Sequence, residues 1–221
     1  MIAAVDIPIS KDLIAAAKTL ARGTESVRAV MGVEENRFSR ALSDLQRLAV
    51  SEGIAVAIVC GLAAIHYGYP AATQDIDIAI ARLDLDRFLL AAPGYGFKVV
   101  WRAESGWHTL THADVEINVV PEGGKAKNTS PTTIPAPAAM GVSQGLGYAS
   151  LPGWIELKIS AGRQKDRAHV VEVLKKTADP EVDAVRIALT RIDGGYAATF
   201  EQLLEEAIDE RLQEEERGGI R

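Results

Sequence analysis

At residues 60–80 the chain reads CGLAAIHYGYPAATQDIDIAI, an apolar run leading through a glycine turn into a strand that carries two acids. The six residues before it, 54–59, are continuously apolar and rich in β-branched side chains, as expected of a strand buried on both faces. Residues 61–67 predict a short helix, stopped by Gly68 and Pro70. The segment DIDIAI, residues 75–80, then alternates with the period of a strand and puts Asp75 and Asp77 on one face. Two carboxylates so placed repel each other, and leaving both exposed costs stability unless a cation joins them. Mg²⁺ (or Mn²⁺) suits the site, because a hard ion takes oxygen ligands and completes its shell with substrate phosphates and water. Gly61 supplies the other half: a bare turn lets backbone approach a phosphate, and the helix start behind it offers free N–H groups.

Working outward, residues 11–22 and 34–51 carry apolar positions at helical spacing, the second with Phe38, Leu42, Leu45 and Leu48 on one face and Gly53 as its stop. Residues 83–90 predict another helix. Residues 97–101, 107–111 and 115–120 predict three successive strands separated by turn residues. In the last of these Glu116 and Asn118 share a face, opposite Val115, Ile117 and Val119. Residues 121–151 are rich in Pro and Gly and show no sustained period, which marks a long loop suited to mobility or substrate contact. Helices are expected at 152–159, 165–176 and 200–212. Residues 184–190 fit either a strand or a helix.

Composition narrows the classes. The chain has 221 residues, enough for one domain with a substantial core, and its 48% hydrophobic and 24% charged residues exclude a disordered polymer. The longest apolar stretch, 54–65, is about a dozen residues where a membrane span needs roughly 20, so no membrane association is expected. The start of the chain lacks a basic region before its apolar residues and carries Asp6, a poor secretory signal, and a cytoplasmic location follows as the expectation. The single cysteine excludes an internal disulfide and a multi-cysteine zinc site. A net charge of −6 gives no general attraction for nucleic acid or anionic membrane, and much of the excess acid lies in 201–216, as on an exposed helix face. Gly123-Gly124-Lys125 lacks the spacing of a phosphate-binding loop, and the glycines of 141–147 follow no clear strand, so neither is read as a nucleotide fingerprint. His66 reads as a packing residue and His169 as part of a solvated helix face. His108 and His112 sit near strand ends and fit either a structural or a functional role.

The D-x-D strand after a glycine turn, followed by a later acid-bearing strand, resembles the polymerase-β-like nucleotidyltransferase superfamily, and within it the AbiEii-type toxin branch. The pattern matches at Gly61, Asp75, Asp77 and Glu116. The resemblance extends over LPGWIELKISAGRQKDRAHVVEVL, residues 151–174, and in all covers about 34–176. It implies an α/β (α+β) nucleotidyltransferase fold, a mixed sheet flanked by helices, in a single domain with helical extensions at 1–33 and 177–221. It further implies metal-dependent transfer of a nucleotidyl group from a nucleoside triphosphate to a hydroxyl of a protein, RNA or small molecule, with an antitoxin as partner.

By the same resemblance Asp75, Asp77 and Glu116 are the catalytic and metal-binding acids, converging in one cleft near Gly61 and Lys158. Gly61, Thr73, Lys158, Lys165 and Asp166 bind nucleotide, although Lys158 also fits a snorkelling helix lysine. Asp114 is a second candidate for the third acid. The sequence departs from the pattern at Cys60, where relatives carry glycine, and at Ala71, commonly arginine. A catalytically degenerate nucleotide- or protein-binding module is the alternative that those two positions imply.

Overall fold

The computed structural model describes residues 24–32, 35–103 and 106–218. The helix expected at 11–22 lies outside them. After helical residues 24–30, the order is α1 (Arg37–Glu52), β1 (Ala55–Ile58), α2 (Cys60–His66), β2 (Asp75–Ile80), α3 (Leu85–Ala91), β3 (Lys98–Arg102), β4 (His108–His112), β5 (Val115–Pro121), β6 (Gly145–Tyr148), α4 (Leu151–Ala161), α5 (Gln164–Leu174), α6 (Asp179–Ile192) and α7 (Gly194–Gly218). The architecture is mixed α/β, as expected.

Among the described residues six strands form one sheet in the order β3-β4-β5-β2-β1-β6. Its centre is the parallel pair β2 and β5, and β4, β3 and β1 join antiparallel. Alternation along β2 sends Ile76, Ile78 and Ile80 to one face, where all three are fully buried, and holds Asp75 and Asp77 half-buried on the other. Those three isoleucines fix the direction of the acids, since a slip of one residue would bury the carboxylates instead.

Helix α1 is closed at both ends by its own sequence. The Asn36 side chain accepts from the backbone N–H groups of Phe38 and Ser39, the Ser39 hydroxyl accepts from the Asn36 N–H, and Gly53 ends the helix at φ 61°. Its inner residues Phe38, Leu45 and Leu48 are fully buried.

One expectation needs revision, and one open reading is decided. The long loop after β5 contains a strand, β6, which pairs parallel with β1. Its sequence GLGY has too few side chains to show alternation. It is held from outside, by the Gln46 side chain accepting the Leu146 N–H at 3.0 Å, and Gly145 sits at φ 63° with Gln46 and Val50 against the space a Cβ would take. Residues 184–190 belong to helix α6, which buries Val182, Val185 and Leu189 at spacings of three and four.

The acidic face of α7 has partners: Lys175 at the end of α5 is held by Glu172, Glu210 and Glu214, and Arg186 of α6 by Glu201. Among the described residues no helix is long and apolar enough to cross a membrane.

Candidate active site

Asp75 and Asp77 line a cleft of about 740 Å³ together with Cys60, Gly61, Thr73 and Asn118. Asp75 is held by a short contact within its own stretch of sequence, and Asp77 by partners from elsewhere in the chain. The Thr73 hydroxyl, two residues before Asp75, donates to its Oδ1 at 2.5 Å. Thr73 in turn packs on Gly61, where an added Cβ would fall 2.8 Å from both the Thr73 Cβ and its hydroxyl. The bare turn at Gly61 therefore makes room for the threonine that orients Asp75.

The third group between the acids is an amide. The parallel register sets Asp77 opposite Asn118 and Asp75 opposite Glu116. Asn118 Nδ2 donates to Asp75 Oδ2 at 3.4 Å and to Asp77 Oδ1 at 3.3 Å, while its Oδ1 accepts from the Thr109 hydroxyl at 3.2 Å. Glu116, expected to converge with the pair, is exposed and lines a separate depression beside Lys98, Thr111 and Asp114. It sits two residues closer to the start of β5, opposite the like charge of Asp75, which disfavours an inward position. Asp114 does not replace it. That residue occupies the β4–β5 turn at φ 61°, with its carbonyl accepting from Arg37. Among the described residues no three His, Cys, Asp or Glu side chains cluster as a metal site. The three-carboxylate arrangement is thus replaced by two carboxylates and an amide.

Burial, and then the charge of Asp75, push the Asp77 carboxyl up to about 6, against the hydrogen bonds from Cys60 and Asn118 that favour its charged form. Cys60 sits at φ 54° at the first position of α2. Burial, and next the Asp77 charge, raise its thiol well above the ordinary range, so it is a protonated donor to Asp77 and no nucleophile. The carbonyl of Cys60 accepts from the Trp154 indole N–H at 3.0 Å, which ties the turn to α4.

The same cleft is lined by Lys127, Lys158, Arg163 and Lys165. Lys165 is exposed and lines the cleft. Lys158 is 5% exposed and does not snorkel: its ammonium donates to Asp166 Oδ1 at 2.8 Å and to His169 Nδ1 at 3.2 Å. An ammonium has three donors, so one N–H is left for a ligand.

Asp166, expected to touch nucleotide, is fully buried and lies outside the cleft lining; it acts through Lys158 and through Arg163, which donates to Oδ2 at 2.5 Å. Burial pushes its carboxyl up, and the hydrogen bonds from Arg163 and Lys158 outweigh that and hold it below its ordinary value.

His169 is not on a solvated face. It lies against Lys158 and the Tyr69 ring, and burial, then the lysine's charge, lower its pKa and keep it a neutral acceptor. Lys127 had only its positive charge to signal it in the sequence, whereas Arg163 lies in the glycine-arginine turn of the stretch 151–174 that carries the resemblance. His66 is structural, stacked on Tyr148 at 4.1 Å, and so is His112, paired with Asp44.

No family model matches the sequence, and no curated protein matches it. Among solved structures the chain is similar to ANT(2'')-Ia in its crystal structure in complex with adenylyl-2''-tobramycin. That likeness has 15% identity, covers 78% of this chain and 98% of that one, and has a TM-score of 0.41. The antibiotic-resistance factor ANT(2'')-Ia in its solution structure gives 12% identity over 85% of this chain and 100% of that one, again at a TM-score of 0.41. Likeness at that level does not bear on this chain's chemistry, which rests on the residues just described.

The raised Asp77 pKa gives a pH test. A carboxyl whose folded pKa lies above its unfolded value adds stability that is complete below the unfolded value, 3.8, and is lost as pH climbs through about 6. In metal-free protein, Asp77→Asn should therefore raise the thermal midpoint above pH 6, by about 2–4 °C per kcal/mol recovered. The gain should vanish near pH 4. Calorimetric scans of both proteins across that range check it.

Proposed function

We propose that the cleft binds a nucleoside triphosphate with Mg²⁺ (or Mn²⁺) and transfers its nucleotidyl group to an acceptor hydroxyl. The observation that carries this reading is the pairing, across one cleft, of two adjacent carboxylates with four cationic side chains. The carboxylates suit a hard divalent ion: all their donors are oxygen, and they repel each other, a repulsion that after burial is the second cause of the raised Asp77 pKa. When bound, such an ion would neutralise charge on the phosphate being transferred.

The chain's own groups divide the remaining work. Asp75 is oriented by Thr73, and Asp77 by Cys60 and Asn118. Lys158, preset by Asp166 and His169, offers its remaining N–H to a phosphate, and Lys127, Arg163 and Lys165 add charge around it. Attack of the acceptor oxygen on the α-phosphorus releases pyrophosphate toward those cations. With Glu116 outside the cleft, the proton of the attacking hydroxyl is left to the aspartate pair.

Calorimetric titration with ATP, CTP, GTP and UTP in Mg²⁺ tests the reading. At least one should bind. Asp75→Ala should weaken it by no less than the roughly 10- to 100-fold seen when a partner of a metal ligand is removed. No binding to any of the four, with wild type and Asp75→Ala indistinguishable, contradicts it. The resemblance to the toxin branch extends the proposal to growth inhibition relieved by an antitoxin, in which case induced wild-type protein slows growth and Asp75→Ala does not.

A second reading has an observation of its own. Cys60 is a non-glycine residue at φ 54°, and with Ala71 it lines the cleft where relatives by resemblance carry glycine and arginine. A degenerate module that holds a ligand without turnover fits those two positions. Cys60→Gly separates the readings, since it relieves the left-handed backbone and removes the thiol beside Asp77. An active site as built loses little or gains slightly in nucleotide affinity; a degenerate one gains affinity only in that variant.

A further inference from the structure

Toward the edge strand β3 the cleft is aromatic. Register carries one row across the sheet face, with Trp101 opposite Thr109, Thr109 opposite Asn118 and Asn118 opposite Asp77. Three strand spacings of about 4.8 Å separate the Trp101 backbone from that of Asp77, roughly 14 Å in all. Trp101 and Trp107 both line the cleft, Trp101 with 55% of its surface exposed.

The chain has three tryptophans, and the third, Trp154, is fully buried and engaged with Cys60. Two of the three thus stand in the one cleft that holds the acids. An indole left so open on a sheet face contributes little to the core and offers a large flat surface to a ligand. Val120 and Ile134 add apolar lining to the same cleft, and a Cβ added at Gly124 would fall 3.5 Å from the Trp107 indole nitrogen.

We infer that Trp101 and Trp107 form a stacking platform for a planar heterocycle, on the same ligand or beside the ligand whose phosphates Asp75 and Lys158 face. The inference rests on the triphosphate reading for its phosphate half. Among the described residues the cleft is lined by four cationic side chains and, as carboxylates, by the two aspartates at the other end of the row. The heterocycle is the base of the donor nucleotide or a ring of the acceptor; both present the same surface to the indoles.

Three probes distinguish the sources: Mg²⁺ with ATP, Mg²⁺ with inorganic tripolyphosphate, and adenosine. Each is titrated calorimetrically and by tryptophan fluorescence into wild type, Trp101→Ala and Asp75→Ala. Trp101 is exposed on an edge strand, so its variant keeps the fold, and circular dichroism verifies this. Tripolyphosphate should bind in an Asp75-dependent manner without quenching and without regard to Trp101. A heterocycle-bearing probe should quench and should weaken roughly 5- to 100-fold in Trp101→Ala, the range for one stacked base. Weakening of ATP assigns the platform to the donor base, and weakening of adenosine alone assigns it to the acceptor. Equal binding of ATP and adenosine to wild type and Trp101→Ala, with tripolyphosphate still dependent on Asp75, overturns the platform and leaves the triphosphate reading standing. If tripolyphosphate does not bind while adenosine still quenches through Trp101, the platform stands and the triphosphate reading fails.

Discussion

The parallel ladder between β2 and β5 is the constraint from which the rest of the site follows. It sets Asp77 beside Asn118 and Asp75 beside Glu116, and with the three buried isoleucines of β2 it turns both aspartates toward the same cleft. Shifting that ladder by two residues would bring Glu116 beside Asp77 and restore a third carboxylate. At the register observed, an amide stands there instead. The side-chain contacts of Thr73, Thr109 and Cys60 then hold the acids and Asn118 in place, so the geometry of the pair depends on pairing across the sheet more than on any single contact.

Electrostatically the cleft is divided. Its acid end is strained, with Asp77 holding a proton more tightly than an ordinary aspartate because it is partly buried beside Asp75. Its cationic wall is stabilised: Lys158 is buried, and a buried ammonium persists only with partners, here Asp166 and His169. Asp166 also holds Arg163, so one fully buried carboxylate positions two of the four cations. A ligand carrying negative charge and a cation would relieve the first end and use the second.

How much of this was legible follows from the physics of each signal. DIDIAI gave β2 to the residue, because a period of two is a local property and survives without knowledge of neighbours. Gly53 gave the end of α1 for the same reason. The choice between Glu116 and Asn118 could not be read, since both share a face and only long-range register selects which one meets Asp77. Strand β6 was hidden because Gly145 and Gly147 carry no pattern and the strand is held at Leu146 by Gln46, a hundred residues earlier. His169 looked solvated because its partner, Lys158, is buried only once α4 and α5 pack together. Gly61 was legible as a required glycine but with a different neighbour, Thr73, crowding it.

The central claim is that Asp75 and Asp77 act as one coupled pair poised for a cation in the presence of phosphate. Carbon-detected NMR titration of the aspartate side-chain carboxyls measures it directly, with the two assigned by comparison with Asp75→Asn and Asp77→Asn. In metal-free protein one step of the pair should fall near pH 6, and saturating Mg²⁺ with a bound nucleotide should move it down toward or below the ordinary aspartate range. Two ordinary aspartate titrations that Mg²⁺ and nucleotide leave unmoved would contradict the account.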